Sequence, residues 1–165
     1  MNVKYRDSLL LSDREAIRNI LKSTGVFYDF EIDVAREIVD VFLDEGKKSG
    51  YYFYVAELDG KVLGYVNFGP VPCTKSGWDL YWIAVNKDLH GKGIGGELME
   101  MAEKEAAKNG GEKLWIETSS KENYLPTRLF YEKKEYVKAA ELNDFYGPDD
   151  NKIIYGKSLK KINNG

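Results

Sequence analysis

Four glycines fall within the six residues from Gly91 to Gly96, inside the run H-G-K-G-I-G-G-E from His90 to Glu97. An apolar, β-rich run, L-Y-W-I-A-V from Leu80 to Val85, precedes them across a short polar connection. Behind them Leu98, Met101 and Ala102 repeat at helical spacing. A strand feeding a glycine-rich turn that opens a helix presents bare backbone N–H groups to an anion, and the helix dipole favours negative charge there. The chemistry this favours is the holding of a pyrophosphate. Lys92 adds a point charge within the turn. Other chemistries are closed by counting. One cysteine, Cys73, and one histidine, His90, leave no disulfide framework, no structural zinc site and no mechanism that needs two histidines.

The elements that must position this turn can be read in order. Val3 to Arg6 reads as a short strand. Ser12 with Glu15 three residues on has the form of a capping box, ahead of the apolar stripe Ile17, Ile20 and Leu21. The segment from Val26 to Ile32 reads as an aromatic loop, and Asp33 as the cap of a second helix carrying Ala35, Ile38, Val39 and Phe42. Tyr51–Leu58 and Lys61–Phe68 form a hairpin about Asp59-Gly60, the favoured two-residue turn, and Gly69-Pro70 ends it. Trp78–Val85 is the strand before the glycines, and the helix after them runs from about Gly95 to Lys108. Lys113–Thr118 is a further strand, and Pro126 suits the first turn of a short helix to about Lys134. Two strands follow, Tyr136–Phe145 and Ile153–Leu159, separated by 147–151, with a polar, frayed tail from Lys160. The strand–helix–strand around the glycines requires parallel pairing there, and the hairpins require antiparallel pairing elsewhere. The fold class is α/β, a central mixed sheet with helices on its faces.

The bulk numbers agree with one soluble domain spanning 1–165. The chain is 43% hydrophobic and 31% charged, which excludes a disordered chain and allows a real core. A net charge of −3 argues against nucleic acid as a general partner. No basic-then-apolar leader and no run of 18 apolar residues are present, so no membrane partner is expected and the cytoplasm is the default compartment.

Gly91, Gly93 and Gly96 also spell G-x-G-x-x-G, with Glu117 about 20 residues beyond. A dinucleotide fold would place the first glycine directly after its first strand, yet Asn86 to His90 intervene and about 80 residues come before. Fewer than 50 residues follow Glu117, too few for a second mononucleotide half. A NAD-type binder is therefore a minor alternative.

The run from His90 through Gly93 to Gly95 resembles the Arg/Gln-x-x-Gly-x-Gly/Ala signature of the GCN5-related N-acetyltransferase (GNAT) family. A second block, F-Y-E-K-K-E-Y from Phe130 to Tyr136, is similar to that family's L-Y-E-K-x-G-F. The resemblance implies a mostly antiparallel twisted sheet flanked by helices, with acetyl-CoA as co-substrate and no metal. It implies that the backbone of Ile83, Ala84 and Val85 bonds the pantetheine arm. The turn, His90, Gly91, Lys92, Gly93, Ile94, Gly95 and Gly96, would take the pyrophosphate, and Asn123 would also bond the co-substrate. Two departures stand out. His90 replaces the usual Arg or Gln, and Glu135 replaces a glycine whose left-handed cap costs a residue with a Cβ about 1 kcal/mol.

Acetyl transfer from a thioester requires a neutral amine, a polarised carbonyl and a proton for the leaving thiolate. The family's tyrosine acid maps to Tyr131. Glu117 and Asp79 are the candidate bases, with Glu117 placed first and a water relay third. Glu117 sits in a setting like that of ribosomal-protein N-terminal acetyltransferases, and Asp79 matches the base position of histone acetyltransferases of the family. Strand alternation puts Asp79, Tyr81 and Ile83 on one face. Tyr28, Phe30, Glu31, Tyr81 and Tyr146 are the candidate contacts to the amine acceptor, because acidic and aromatic side chains suit an ammonium. The acceptor's identity and a homodimeric state are left open. A CoA-binding sensor or interaction module on the same fold is the alternative function.

Overall fold

The computed structural model describes residues 1–160. Its elements are β1 (Lys4–Arg6), α1 (Asp13–Thr24), α2 (Asp29–Glu45), β2 (Tyr52–Leu58), β3 (Lys61–Pro70) and β4 (Gly77–Val85). They continue with α3 (Ile94–Lys108), β5 (Lys113–Ser119), α4 (Leu125–Lys133), β6 (Val137–Gly147) and β7 (Asp150–Ser158). The seven strands form one sheet in the order β1-β2-β3-β4-β5-β7-β6. Only β4 and β5 are parallel; every other pairing is antiparallel. The element order and the mixed, mostly antiparallel sheet are those expected from the sequence. The polar tail lies, from residue 161, outside the described residues.

Pleat alternation splits the apolar residues between two cores. Phe53, Val55 and Tyr65 face α1 and α2, where Ile17, Leu21, Ala35, Val39 and Phe42 cover them. Ala56, Val66, Phe68, Leu114 and Ile116 face the other way, against Leu98, Met99 and Ala102 of α3 and Tyr131 of α4. Each fully buried large side chain contributes about 1.5–3 kcal/mol, so both helical layers are held firmly to the sheet. The central strands are buried on both faces, which is why their sequences read as nearly continuous apolar runs.

Several local readings change. Ser12 precedes α1 in a helical conformation, and its side chain caps nothing. The next residue, Asp13, turns inward instead. Its carboxylate accepts from Arg6 Nη1 and Nη2, each at 2.7 Å, and from the Leu10 N–H at 2.6 Å. A buried carboxylate is tolerated when its lone pairs are filled in this way. The second helix begins at Asp29, four residues before Asp33, so the expected aromatic loop is largely the first turn of α2. Strand β3 runs on through Gly69 to Pro70. The last hairpin turns within Pro148-Asp149, so β7 already begins at Asp150. Helix α4 keeps a left-handed cap: Glu135 adopts φ 68°. The N–H groups of Glu135 and Tyr136 bond Glu132 O and Tyr131 O, both at 3.0 Å, a Schellman arrangement with glutamate in the glycine position.

Candidate active site

The site begins where two neighbouring strands part. β4 and β5 pair only from Gly77/Lys113 to Leu80/Ile116, after which β4 continues to Val85 and β5 to Ser119. A bulge marks the separation. On β3, Asn67 faces Trp82 and Phe68 faces Leu80, so Tyr81 is the extra residue of β4. The bulge reverses the strand's parity. Trp78 and Leu80 face the α3/α4 core, but beyond Tyr81 it is Ile83 and Val85 that do so, while Trp82 and Ala84 face α1/α2. Asp79 and Tyr81 thus share a face, as expected, and Ile83 does not join them.

The cleft-facing edge of β4 has free backbone groups. The Asn86 N–H bonds Leu63 O at 2.8 Å, and antiparallel bonding alternates along a strand. Ala84, opposite Tyr65, is therefore spent on the ladder with β3, whereas the polar backbone groups of Ile83 and Val85 turn towards β5, which is no longer there. This removes Ala84 from the three-residue backbone run read from the sequence. His90 is occupied too: its Nε2 lies 2.8 Å from the Val85 carbonyl oxygen, a contact that requires the proton on Nε2. The imidazole ties the turn to the strand end.

The glycine turn supplies the donors. Among the described residues no protein acceptor takes the N–H of any residue from Gly91 to Gly96; Glu97 is the first to bond, to Gly93 O at 3.1 Å. Gly91 and Gly93 have φ of 79° and 85°, in the left-handed region, and α3 starts directly at Ile94, one residue earlier than expected. Ile94 is buried in the core beneath the turn, and Lys92 is exposed above it. Lys134, at the end of α4, is a second cation here. Its Nζ lies 2.7 Å from where a Cβ on Gly96 would stand, and it pairs with Glu100 at 3.7 Å. Asn123 is exposed in the turn 122–124 ahead of α4, and its amide makes no hydrogen bond among the described residues.

Tyr131 is 5% exposed, packed on the rings of Phe130, Tyr136 and Tyr155. Its hydroxyl has no hydrogen-bond partner among the described residues. Burial raises its pKa, with Tyr155 a second cause, so the group stays protonated across the physiological range.

The α1/α2 side of the cleft collects carboxylates and rings from distant segments. Asp79 stands opposite Trp115, two residues before Glu117 on the same face of β5. The two carboxylates differ in their partners. Glu117 is 52% exposed and pairs with Lys152 Nζ at 2.8 Å. Asp79 is half-buried and forms no hydrogen bond or ion pair among the described residues. Desolvation raises its pKa and Glu117 adds to the rise, with Lys152 opposing. Tyr81 packs edge-on against Tyr51 at 5.6 Å, and burial and then Asp79 push its pKa up to about 12. Asp150 is buried, accepts from Ser119 Oγ and has Lys121 Nζ at 3.7 Å. Glu31 accepts from the Tyr28 N–H at 2.7 Å, capping α2. Tyr28 and Phe30 stack at 5.3 Å, both exposed, and Lys121 donates to the Tyr28 hydroxyl at 2.7 Å. Tyr146 is half-buried, its pKa pushed up to about 12 by desolvation and then by Glu117, Asp150 and Glu31.

The structure thus brings Asp79, Glu117, Tyr81 and Tyr146 to one face, with Tyr28 at the N-cap of α2 and Phe30 and Glu31 on its first turn beside it. Four participants escape the sequence reading: Tyr51, Tyr124, Asp150 and Lys152. Tyr124, whose pKa rises through burial and then the charges of Glu31 and Asp150, stands seven residues before Tyr131. Asp150 is hidden because 147–151 reads as a loop, and Lys152 because it falls between that loop and the strand read from Ile153. Once β7 starts at Asp150, the two-residue period puts both on one face.

Comparison with known proteins bears on the family and the fold. The family model described as "Acetyltransferase (GNAT) family" matches residues 14–136. A GNAT-family protein of Desulfovibrio desulfuricans superposes with a TM-score of 0.93 at 39% identity, covering 96% of this chain and 99% of that one. The uncharacterized N-acetyltransferase YjgM of Escherichia coli (strain K12) is 26% identical over 117 residues, 68% of this chain and 70% of YjgM. An aminoglycoside 6'-N-acetyltransferase solved in complex with coenzyme A shares the fold, with a TM-score of 0.75 at 19% identity, covering 98% of this chain and 99% of that one. No helix among the described residues is long and apolar enough to cross a membrane.

Proposed function

The chain belongs to the acetyltransferase (GNAT) family, and on that premise we propose that it moves an acetyl group from acetyl-CoA directly to a primary amine, working as a single domain in the cytoplasm. One observation carries the co-substrate assignment. The unpaired N–H groups of Gly91 to Gly96 follow a strand whose Ile83 backbone groups and Val85 N–H face an open cleft, the Val85 carbonyl being taken by His90. Residues of this kind fit a pyrophosphate followed by an amide-bearing arm. Acetyl-CoA supplies an activated acyl thioester when bound. Lys92 and Lys134 place positive charge beside the turn, and His90 holds the turn to the strand rather than reaching outward.

Asp79 is the general base in this reading, ahead of Glu117. A base must have a lone pair to offer. Glu117 holds one oxygen against the Lys152 ammonium, Asp150 is bonded by Ser119 and faces Lys121, and Glu31 caps the start of α2, so each is already committed to a partner within the fold. Asp79 has no such partner, and its raised pKa narrows the gap to an ammonium. Asp79 takes the amine proton as the C–N bond forms and the C–S bond breaks. Tyr131 offers its hydroxyl proton to the thiolate that leaves.

Release of the coenzyme A thiol tests the reading across amines, amino acids, peptides and polyamines. The expected result is release that requires an amine and rises with pH. Stabilisation by acetyl-CoA without acetylation of any acceptor would favour a CoA-binding sensor. Stabilisation by NAD and not by acetyl-CoA would overturn both.

A further inference from the structure

Lys152 is built into the acceptor side of the cleft in an unusual way. Its side chain is 12% exposed, with Nζ 2.8 Å from Glu117 Oε2. The same Nζ lies 3.7 Å from the centre of the Phe145 ring and 5.8 Å from that of Tyr146. A carboxylate and two ring faces around one cation are the elements by which proteins recognise an ammonium group. Those walls are themselves open: Phe145 and Tyr146 are each about half exposed, as is Glu117. Lys152 is the ligand that fills them.

The position follows from β7. Lys152 stands opposite Ser119 and Leu142, so its side chain rises from the sheet beside Glu117, which pairs with Ile154 two residues on. The reach of the lysine stem then lays the ammonium under the β6 rings. Asp79, the carboxylate left for the acceptor's reacting amine, feels the charges of both Glu117 and Lys152. The two subsites are therefore neighbours, one vacant of protein partners and one filled.

We propose that Glu117, Phe145 and Tyr146 form a second ammonium subsite that Lys152 occupies from within, so that the preferred acceptor carries a single cationic amine and a second cation on it is rejected. The inference rests on the acceptor lying on this face, as in the function proposed above. It selects among acceptors: an amine whose remainder is neutral or anionic fits, and a polyamine or a polycationic sugar does not. Rejection here is an act of specificity, because a like charge placed beside Lys152 is repelled where a vacant cage would attract it.

The test compares 1-aminobutane with 1,4-diaminobutane, which differ by one cationic group. Binding to the full chain in the presence of coenzyme A is measured by ligand-observed NMR for the native protein and for Lys152→Gln, Lys152→Arg and the double variant Lys152→Gln/Glu117→Gln. The native protein and Lys152→Arg should bind the diamine no better than the monoamine. Lys152→Gln should bind the diamine at least tenfold more tightly than the native protein does, with the monoamine changed less than twofold, and the double variant should lose the gain. Equal diamine affinity in native and Lys152→Gln proteins overturns the proposal, as does a native preference for the diamine. Coenzyme A release from acetyl-CoA, measured in parallel samples of the same proteins and amines, separates the two levels. The binding pattern without turnover sinks the transferase and keeps the subsite, and turnover with an unchanged pattern does the reverse.

Discussion

The two sides of the cleft are made of different material. The glycine turn acts through backbone: six consecutive N–H groups, two left-handed glycines and the start of α3 lie within a few residues of one another in sequence. The acceptor side acts through side chains, drawn from the first turn of α2, from β4 and β5, and from the hairpin of β6 and β7. Backbone donors are indifferent to most neighbouring substitutions, and what disables them is a change in backbone conformation. Side-chain groups depend on what else each one touches: Asp79 is partly buried without a partner, and Glu117 is exposed and paired with Lys152. A contiguous backbone device suits a constant co-substrate, and a dispersed side-chain device lets the acceptor vary.

The sharpest way to break this contrast is at the carboxylates. Asp79→Asn should lower kcat by roughly 10²–10⁴-fold, while Glu117→Gln should cost less than about tenfold; the reverse order would return the base to Glu117. The native kcat/KM should climb with pH as Asp79 ionises, and that limb should disappear in Asp79→Asn. Stability moves the other way. A carboxylate whose pKa is raised by folding favours the fold when protonated and loses that advantage as pH rises through its folded pKa. Thermal denaturation should therefore find Asp79→Asn more stable than the native protein at neutral pH, with the gain vanishing in acid.

The backbone side breaks differently. Gly91→Val with Gly93→Val forces two β-branched residues into left-handed conformations at about 1–2 kcal/mol each, so acetyl-CoA affinity should fall on the order of a hundredfold by calorimetry. Tyr131→Phe deletes one hydroxyl and leaves both sides standing. Its kcat should drop roughly tenfold to a hundredfold, the worth of one hydrogen bond to a charged group, with acetyl-CoA affinity unchanged. The smallest effect concerns neither side's chemistry. Glu135→Gly relieves a left-handed glutamate at the end of α4 and should raise the unfolding free energy by about 1 kcal/mol in urea titration.

The two sides were also unequally legible. The turn, its strand and its helix are local, so the pattern from Leu80 to Glu97 announces them; the departures are small, such as α3 starting at Ile94 and His90 facing Val85 O. Ala84 drops out because hydrogen-bond parity along β4 is decided by pairing with β3. On the acceptor side the residue types are readable and their state is not. Glu31 is a free acid in the sequence and a helix cap in the fold. Glu117 looks like the better base until β7 lays Lys152 beside it. Lys152 itself falls just outside the strand read from Ile153, because Gly147-Pro148-Asp149-Asp150-Asn151 looks like a long connection, whereas the hairpin turns on two residues.

Sequence by itself determined the order of strands and helices, the hairpin at Asp59-Gly60, the parallel crossover and the glycine-rich turn that opens α3. Each of these rests on local backbone preference or on a short hydrophobic period, quantities that neighbouring residues set between them. Only tertiary structure decided which carboxylate is left unpaired. That depends on a bulge at Tyr81, on the parting of β4 from β5 after Leu80, and on a lysine brought in from 35 residues further along the chain than Glu117. Pairing between distant charges is set by the register of strands, and register is a property of the assembled sheet.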